Sequence, residues 1–113
     1  MNRGEVWWIN FELSVGGEIR KKRPAIIISN NASNKYLNRV QVIPITSHID
    51  CLYPSEALVT VQGQKNKTMS DQITTVSKLR LINRIGKLSE EDMRKVEWAV
   101  SVQLGFSVPI EKG

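Results

Sequence analysis

Up to about Leu88 the apolar residues fall in short β-branched or aromatic runs separated by Gly, Asn and Ser; beyond Ser89 they recur at helical spacing. EVWWINFE, residues 5–12, follows Gly4 and reads as a strand. The polar stretch SVGGEIRKK then reads as a loop. Pro24 holds Arg23 extended and has no amide hydrogen, so it suits the first position of a strand, with Ala25 to Ser29 following as a buried run. NNASNKYLN reads as a turn-rich connection, and RVQVIPITS as a second core strand in which Pro44 marks a bulge or an edge. ALVTVQ (57–62) alternates as a strand, GQKNK makes a turn, TMSDQITTVS forms another strand, and LRLINRIGKL adds a last short one.

The period then changes. Ser89 with Asp92 three residues on is a capping-box-like start, and Met93, Val96, Val100 and Gln103/Leu104 repeat at helical spacing until Gly105 stops the helix. Trp98 on this helix reads as a packing residue. The pattern therefore predicts a mainly β chain of five or six mostly antiparallel strands with a C-terminal helix of about fifteen residues. Strands at this spacing close into a small barrel, and the helix covers one opening or side. With 113 residues and no linker, repeat or low-complexity stretch, residues 1–113 form one domain large enough for its own core.

Composition narrows the function classes. Hydrophobic residues make up 41% and charged ones 24%, and no stretch is long and apolar enough to span a membrane. MNRGEVWW lacks a signal-peptide pattern, because Glu5 and the two tryptophans fall where the apolar segment would be, so the expected mature protein is the whole chain. The single cysteine, Cys51, excludes an internal disulfide, leaves no Cys/His set for structural zinc, and fits a cytoplasmic location as an idle thiol. Net charge is +5, unevenly spread: residues 20–88 hold twelve Lys and Arg against Asp50, Glu56 and Asp71. Such a basic middle between acidic ends suggests a polyanion-facing surface, although lysines spread for solubility would give the same total.

Several chemistries are missing. One histidine cannot share acid and base work with a second, no HExxH, phosphate loop or GxSxG occurs, and Glu90, Glu91 and Asp92 fit the first turn of a helix without a metal. What remains is RKKRPAIIIS. Arg20, Lys21 and Lys22 lie in the predicted loop and can meet phosphates. Arg23 is held by Pro24 and the strand after it, so its guanidinium is a preorganised fork suited to the negative charge of a five-coordinate phosphorus. A salt bridge to Glu18 or another carboxylate is the plainer alternative. Thr46 ends the second core strand, and an antiparallel pairing of the two strands sets it near Arg23; alone it reads as strand filler. His48, two residues on, is either a further polar group of the site or an exposed loop residue. Trp7 and Trp8 face opposite sides of their strand, one in the core and the other at a seam or against a base.

GEVWWINF, GGE, KRPAIIISNN with Asn34, VIPITS, DQITTV, RL, IGKLSEEDM and a helix ending LGF, in that order, resemble the MazF/PemK toxins of bacterial type II toxin-antitoxin systems. The resemblance spans nearly the whole chain. It implies an SH3-like barrel with a C-terminal helix, a homodimer, and a metal-independent, sequence-selective endoribonuclease of single-stranded RNA, chiefly mRNA, with no cofactor. Attack of the ribose 2′-OH would leave a 2′,3′-cyclic phosphate and a 5′-OH. By motif, Arg23 of RPA matches the catalytic arginine and Thr46 of PITS the catalytic threonine, while Glu18, Asn34, Ser47 and Gln72 match positions near the RNA groove. It also implies an acidic MazE-like antitoxin, through which the complex binds operator DNA.

Departures lie at Arg20, Lys21 and Lys22, where the family often has small or polar residues, and at Thr74, Thr75 and Ser77, where a changed dimer contact is expected. Two other readings stay open: a CcdB-like gyrase poison that works through its C-terminal helix without catalysis, and a plain RNA-binding barrel.

Overall fold

The structure, a computed structural model, describes residues 1–11 and 21–107. Among these the elements run β1 (Glu5–Phe11), β2 (Lys21–Ile27), α1 (Asn31–Tyr36), β3 (Arg39–Thr46), β4 (Leu58–Val61), β5 (Gln64–Thr68), β6 (Thr74–Ser77), β7 (Leu81–Lys87) and α2 (Glu90–Leu104). The strands form one curled sheet in the order β4-β5-β3-β2-β1-β7, with β6 also beside β3, and every pairing is antiparallel. Gln62 Nε2 donates to Ile85 O at 2.7 Å, which draws the β4–β5 hairpin toward β7 and tightens the curl. Among the described residues no helix is long and apolar enough to cross a membrane.

The long strand β3 is the hub. One edge pairs with β2, and the other pairs first with β6 at Arg39–Val42 and then with β5 at Ile45 and Thr46. Pro44 stands at the changeover. Its carbonyl accepts from Met69 N–H at 2.9 Å on that second edge, so its missing N–H falls between the two ladders, where no bond is required. The edge expected at Pro44 is thus a change of partner.

Pro24 departs from expectation. It sits in the middle of β2, opposite Trp8, and Lys21–Arg23 already belong to the strand rather than to a loop. The reason lies in backbone direction. Ile28 N–H donates to Gln41 O on β3 at 2.9 Å, and Ile27 O accepts from Gly4 N–H beside β1 at 2.8 Å. Even positions of β2 therefore aim their polar groups at β3 and odd positions at β1. The hydrogen that Pro24 lacks is lost on the β3 side alone. The β1 ladder continues to Phe11 and Lys21, whereas the β3 ladder ends at Ala25 and Pro44.

Three further segments differ from the sequence reading. NNASNKYLN contains α1, started by Asn30, whose side chain accepts from Ser33 N–H at 2.8 Å. GQKNK is mostly β5, because Gln62 (φ 51°) and Gly63 (φ 76°) alone make a two-residue hairpin turn with both φ positive. TMSDQITTVS divides into a 3-10 turn, Ser70–Gln72, and β6, which brings the strand count to seven. Helix α2 starts and stops as expected: Ser89 Oγ accepts from Asp92 N–H at 3.1 Å, and Gly105 closes it in the left-handed conformation. Met93, Val96 and Ala99 bury against Val6, Ile26, Ile43, Ile45 and Val59. Gln103 and Leu104 are exposed, since the buried stripe ends at Val100 and spacing alone says nothing about how far the underlying sheet extends. A second cluster, with Ile9, Ala25, Ile27, Val40 and Val42, takes the other parity of β2 and β3. Each large aliphatic side chain fully buried this way contributes about 1.5–3 kcal/mol.

The segment between β3 and β4 is tied at both ends to β5. Thr46 pairs with Lys67, and Ala57 exchanges bonds with Thr68, donating to its Oγ1 at 2.8 Å and accepting from its N–H at 2.9 Å. Lys67 Nζ reaches across to donate to Cys51 O at 2.7 Å and to Glu56 Oε1 at 3.0 Å, with the two side chains only 13% and 12% exposed. Lys67→Met leaves the Glu56 carboxylate, in a nearly dry site, with the Tyr53 N–H at 2.9 Å but no cation, and should cost about 3 kcal/mol, the lower end for a broken buried pair. Adding Glu56→Gln should restore more than half of that; urea denaturation measures both, and a single variant as stable as wild type would show the clamp to be idle.

Glu5 joins β1 to its surroundings. Its Oε1 accepts from the Trp7 indole at 2.9 Å and from Asn2 N–H at 3.1 Å, and Oε2 lies 3.5 Å from Arg84 on β7. Burial raises its pKa, but those two donors, the N-terminal amine and Arg84 together outweigh burial and hold the carboxyl below its ordinary 4.5. An acid depressed in the folded state stabilises the fold above its unfolded pKa and loses that contribution as pH falls through the lower folded value. Glu5→Gln should therefore melt earlier than wild type near neutral pH and show a shallower loss of Tm below about pH 4.5. Parallel melting curves across that range would contradict the assignment.

Candidate active site

Where the β2–β3 ladder stops, the strands part and a cavity of about 650 Å³ opens, within the range of ligand-sized clefts. Strand β2 lines it with Lys22, Arg23 and Pro24. Strand β3 and the residues after it bring Ile45, Thr46, Ser47 and His48, β5 brings Gln64 and Asn66, and β1 brings Trp8. Ala25 pairs with Pro44, so continuing the antiparallel register by two residues sets Arg23 across from Thr46. The two residues singled out from sequence share one cleft.

Their surroundings suit an anion. Arg23 is half-buried on a paired strand, and no carboxylate among the described residues forms a salt bridge with it. Thr46 Oγ1 accepts from His48 N–H at 3.2 Å. That bond uses an acceptor position only, so the hydroxyl proton stays available to donate to an oxygen in the cleft. The chain thus offers a guanidinium fork and a hydroxyl donor on facing strands, the donor types that recognise a phosphodiester.

The other expected residues divide. Lys22, Ser47 and His48 line the cavity, all exposed. Lys21 lies in β2 opposite Phe11, with its side chain outside the described residues, as are Glu18 and Arg20 altogether. Asn34 does not line the cavity. It is buried in α1, where its Nδ2 donates to Ser29 O at 2.9 Å and its Oδ1 accepts from Ser29 Oγ, and Ser29 Oγ accepts from Gln41 N–H at 3.1 Å. That side chain locks α1 onto β2 and β3. Gln72 is exposed in the 3-10 turn, 3.6 Å from Met69 Sδ, and is also not part of the cavity wall.

Gln64 and Asn66 were not anticipated. Their signal was the two-residue Gln-Gly turn after an alternating strand, which obliges the residues beyond it to pair back. Of the tryptophans, Trp8 lines the cavity, and Trp7 packs half-buried against the second cluster. Trp98, half-exposed, lines a separate and more apolar cleft of about 650 Å³ with Leu52, Leu58 and Ala99. Among the described residues no three His, Cys, Asp or Glu gather as a metal cluster.

Comparison with known proteins bears on the family and the fold. The family pattern described as the PemK-like, MazF-like toxin of type II toxin-antitoxin systems matches residues 2–104. Endoribonuclease MazF9 of Mycobacterium tuberculosis is 30% identical over 92% of this chain and 96% of its own length. Endoribonuclease MazF of Staphylococcus saprophyticus is 33% identical over 94% of this chain and 92% of its own. A mycobacterial endoribonuclease solved with its cognate antitoxin superposes with a TM-score of 0.82 at 23% identity, over 96% of this chain and 99% of that one, which shows the shared fold. From Asn2 to Leu104, then, the chain belongs to the PemK-like, MazF-like toxins of type II toxin-antitoxin systems.

Proposed function

We propose that this protein is a toxin endoribonuclease that cuts single-stranded RNA, chiefly mRNA, in the cavity between β2 and β3. The observation that carries this reading is Arg23, without a carboxylate partner among the described residues, set across from Thr46 in one open cleft. Its relatives are endoribonucleases by name, which favours cutting over gyrase poisoning or passive RNA binding.

Bound there, the phosphodiester places its non-bridging oxygens against the Arg23 guanidinium and the Thr46 hydroxyl. The neighbouring ribose 2′-oxygen attacks phosphorus as its proton passes to solvent water, the P–O5′ bond breaks, and the leaving oxygen takes up a proton from solvent. The products are a 2′,3′-cyclic phosphate and a 5′-OH end, and no metal takes part. Charge that accumulates on phosphorus meets a cation already in position, so little reorganisation is needed at the transition state. Lys22, Ser47 and His48 bind the flanking RNA. DNA lacks the attacking hydroxyl and is bound without being cut.

Its natural restraint is an acidic MazE-like antitoxin. Structural neighbours from mycobacteria and Deinococcus radiodurans were each solved with an antitoxin, and the basic middle of this chain suits such a partner. The toxin acts in the cytoplasm as a homodimer.

Purified protein given long single-stranded RNA in EDTA should release discrete fragments with 5′-OH ends. Arg23→Ala should lower the rate by roughly 10²–10³-fold, the usual cost of removing one preorganised oxyanion donor, with the melting temperature nearly unchanged. Thr46→Val should also slow cleavage. Wild-type protein that leaves diverse RNAs intact, or an Arg23→Ala variant as fast as wild type, would defeat this reading.

A further inference from the structure

The cavity carries two kinds of polar group, and phosphate chemistry accounts for only one. Lys22, Arg23 and Thr46 can all meet a phosphate. Gln64 and Asn66 are neutral carboxamides, weak partners for an anion, but each holds a donor and an acceptor side by side. They stand two apart on β5, so both project from the same face of the strand, about 7 Å from one another. Continuing the β3–β5 register past Thr46 and Lys67 brings Asn66 alongside Ser47, next to the residue that would hold the scissile phosphate.

Asn66 is only 8% exposed, and among the described residues its side chain makes a single long bond, Nδ2 to Gln64 O at 3.3 Å. A carboxamide has two N–H donors and two acceptor positions, and Asn66 Oδ1 is not among the polar atoms sealed from solvent without a partner, so it reaches the cavity and is available to a ligand there. The Gln64 side chain, exposed at the same wall, has no hydrogen-bond partner among the described residues. Trp8, half-buried in the same cavity, adds an aromatic surface of the kind on which unstacked bases rest.

We propose that Asn66 and Gln64 read one nucleobase flanking the cleaved phosphate, that this base is adenine, and that it stacks against Trp8. A carboxamide pairs its acceptor with the adenine amino group and its donor with a ring nitrogen in one bidentate contact; cytosine offers the same pair, but the larger adenine ring system stacks more fully on Trp8. Guanine presents a carbonyl where adenine presents the amino group, so a carboxamide held by the bond to Gln64 O meets it acceptor against acceptor. The inference rests on the RNA-cleavage reading above and adds the specificity of the same site.

The test maps the 5′-OH ends that wild type, Gln64→Ala and Asn66→Ala generate from one long RNA of mixed sequence. It then compares kcat/KM on the best short substrate with that on a copy carrying guanine for the flanking adenine. Wild type should show adenine at one position beside the cut and prefer the adenine substrate by roughly 10- to 100-fold. In each variant that ratio should fall toward one. Gln64 is exposed, so its variant keeps the experiment decisive should Asn66→Ala fold poorly. Absence of adenine enrichment in wild type, or enrichment that survives in Gln64→Ala and in any folded Asn66→Ala protein, overturns the proposal. Wild-type protein that cuts no RNA would instead defeat the cleavage reading, and this inference with it.

Discussion

A single absent hydrogen organises the site. Pro24 has no N–H to give β3, so the ladder that joins the two central strands stops at Ala25 and Pro44 while the ladder to β1 continues behind it. Strands no longer bonded are free to separate, and the cleft forms there. An ordinary residue at the same place would let the next bonded pair, with Ile45, close the gap. Because β2 stays paired with β1 through Lys21, the opening does not cost Arg23 its support. The guanidinium is carried on a rigid strand at the margin of a space, which binding and catalysis both require.

The charge pattern has to be read through the structure before it is assigned to RNA. Of the twelve cations between residues 20 and 88, several already have partners within the fold. Lys67 is bound to Glu56, Arg84 lies near Glu5, Arg80 donates to Asn10 O at 3.4 Å, and Lys35 sits 5.4 Å from the Tyr36 ring. Lys22 and Arg23 are the two cations that reach the cavity wall among the described residues. Net excess therefore explains attraction to a polyanion over distance, while the chemistry proposed for the cleft calls on two side chains placed by strand pairing.

Legibility in the sequence followed the strength of the hydrophobic signal. β1, β2, β3 and α2 combine apolar runs with Gly, Pro or Ser punctuation, and each appears close to where pattern places it. The Arg23–Thr46 juxtaposition was legible for the same reason, since two strong consecutive strands usually lie side by side. β5 was not. QKNKT has no apolar residue, and its buried members, Asn66 and Thr68, are polar, so periodicity of hydrophobic residues cannot register it. Asn34 is a different case: a motif position near a groove says nothing of direction, and here the amide is consumed in holding α1 to Ser29.

Rigidity at the cleft has three sources, two of which meet at Lys67, and their convergence bears on how so small a protein can accelerate a phosphoryl transfer. Arg23 is fixed by the β1 ladder, Thr46 by its pairing with Lys67 and the bond from His48 N–H, and the segment beyond it by the Lys67 clamp on Cys51 and Glu56. Without such restraint, a surface arginine would reorganise during each turnover, and most of its electrostatic advantage would be lost to solvent. Lys67 links the two ends of this arrangement, because its backbone holds the threonine and its side chain holds the return of the loop. Loosening β5 would therefore disturb the hydroxyl, the loop bearing Ser47 and His48, and the amide wall together. A polar strand that sequence periodicity overlooks is, on these grounds, the element on which the geometry of the cleft most depends.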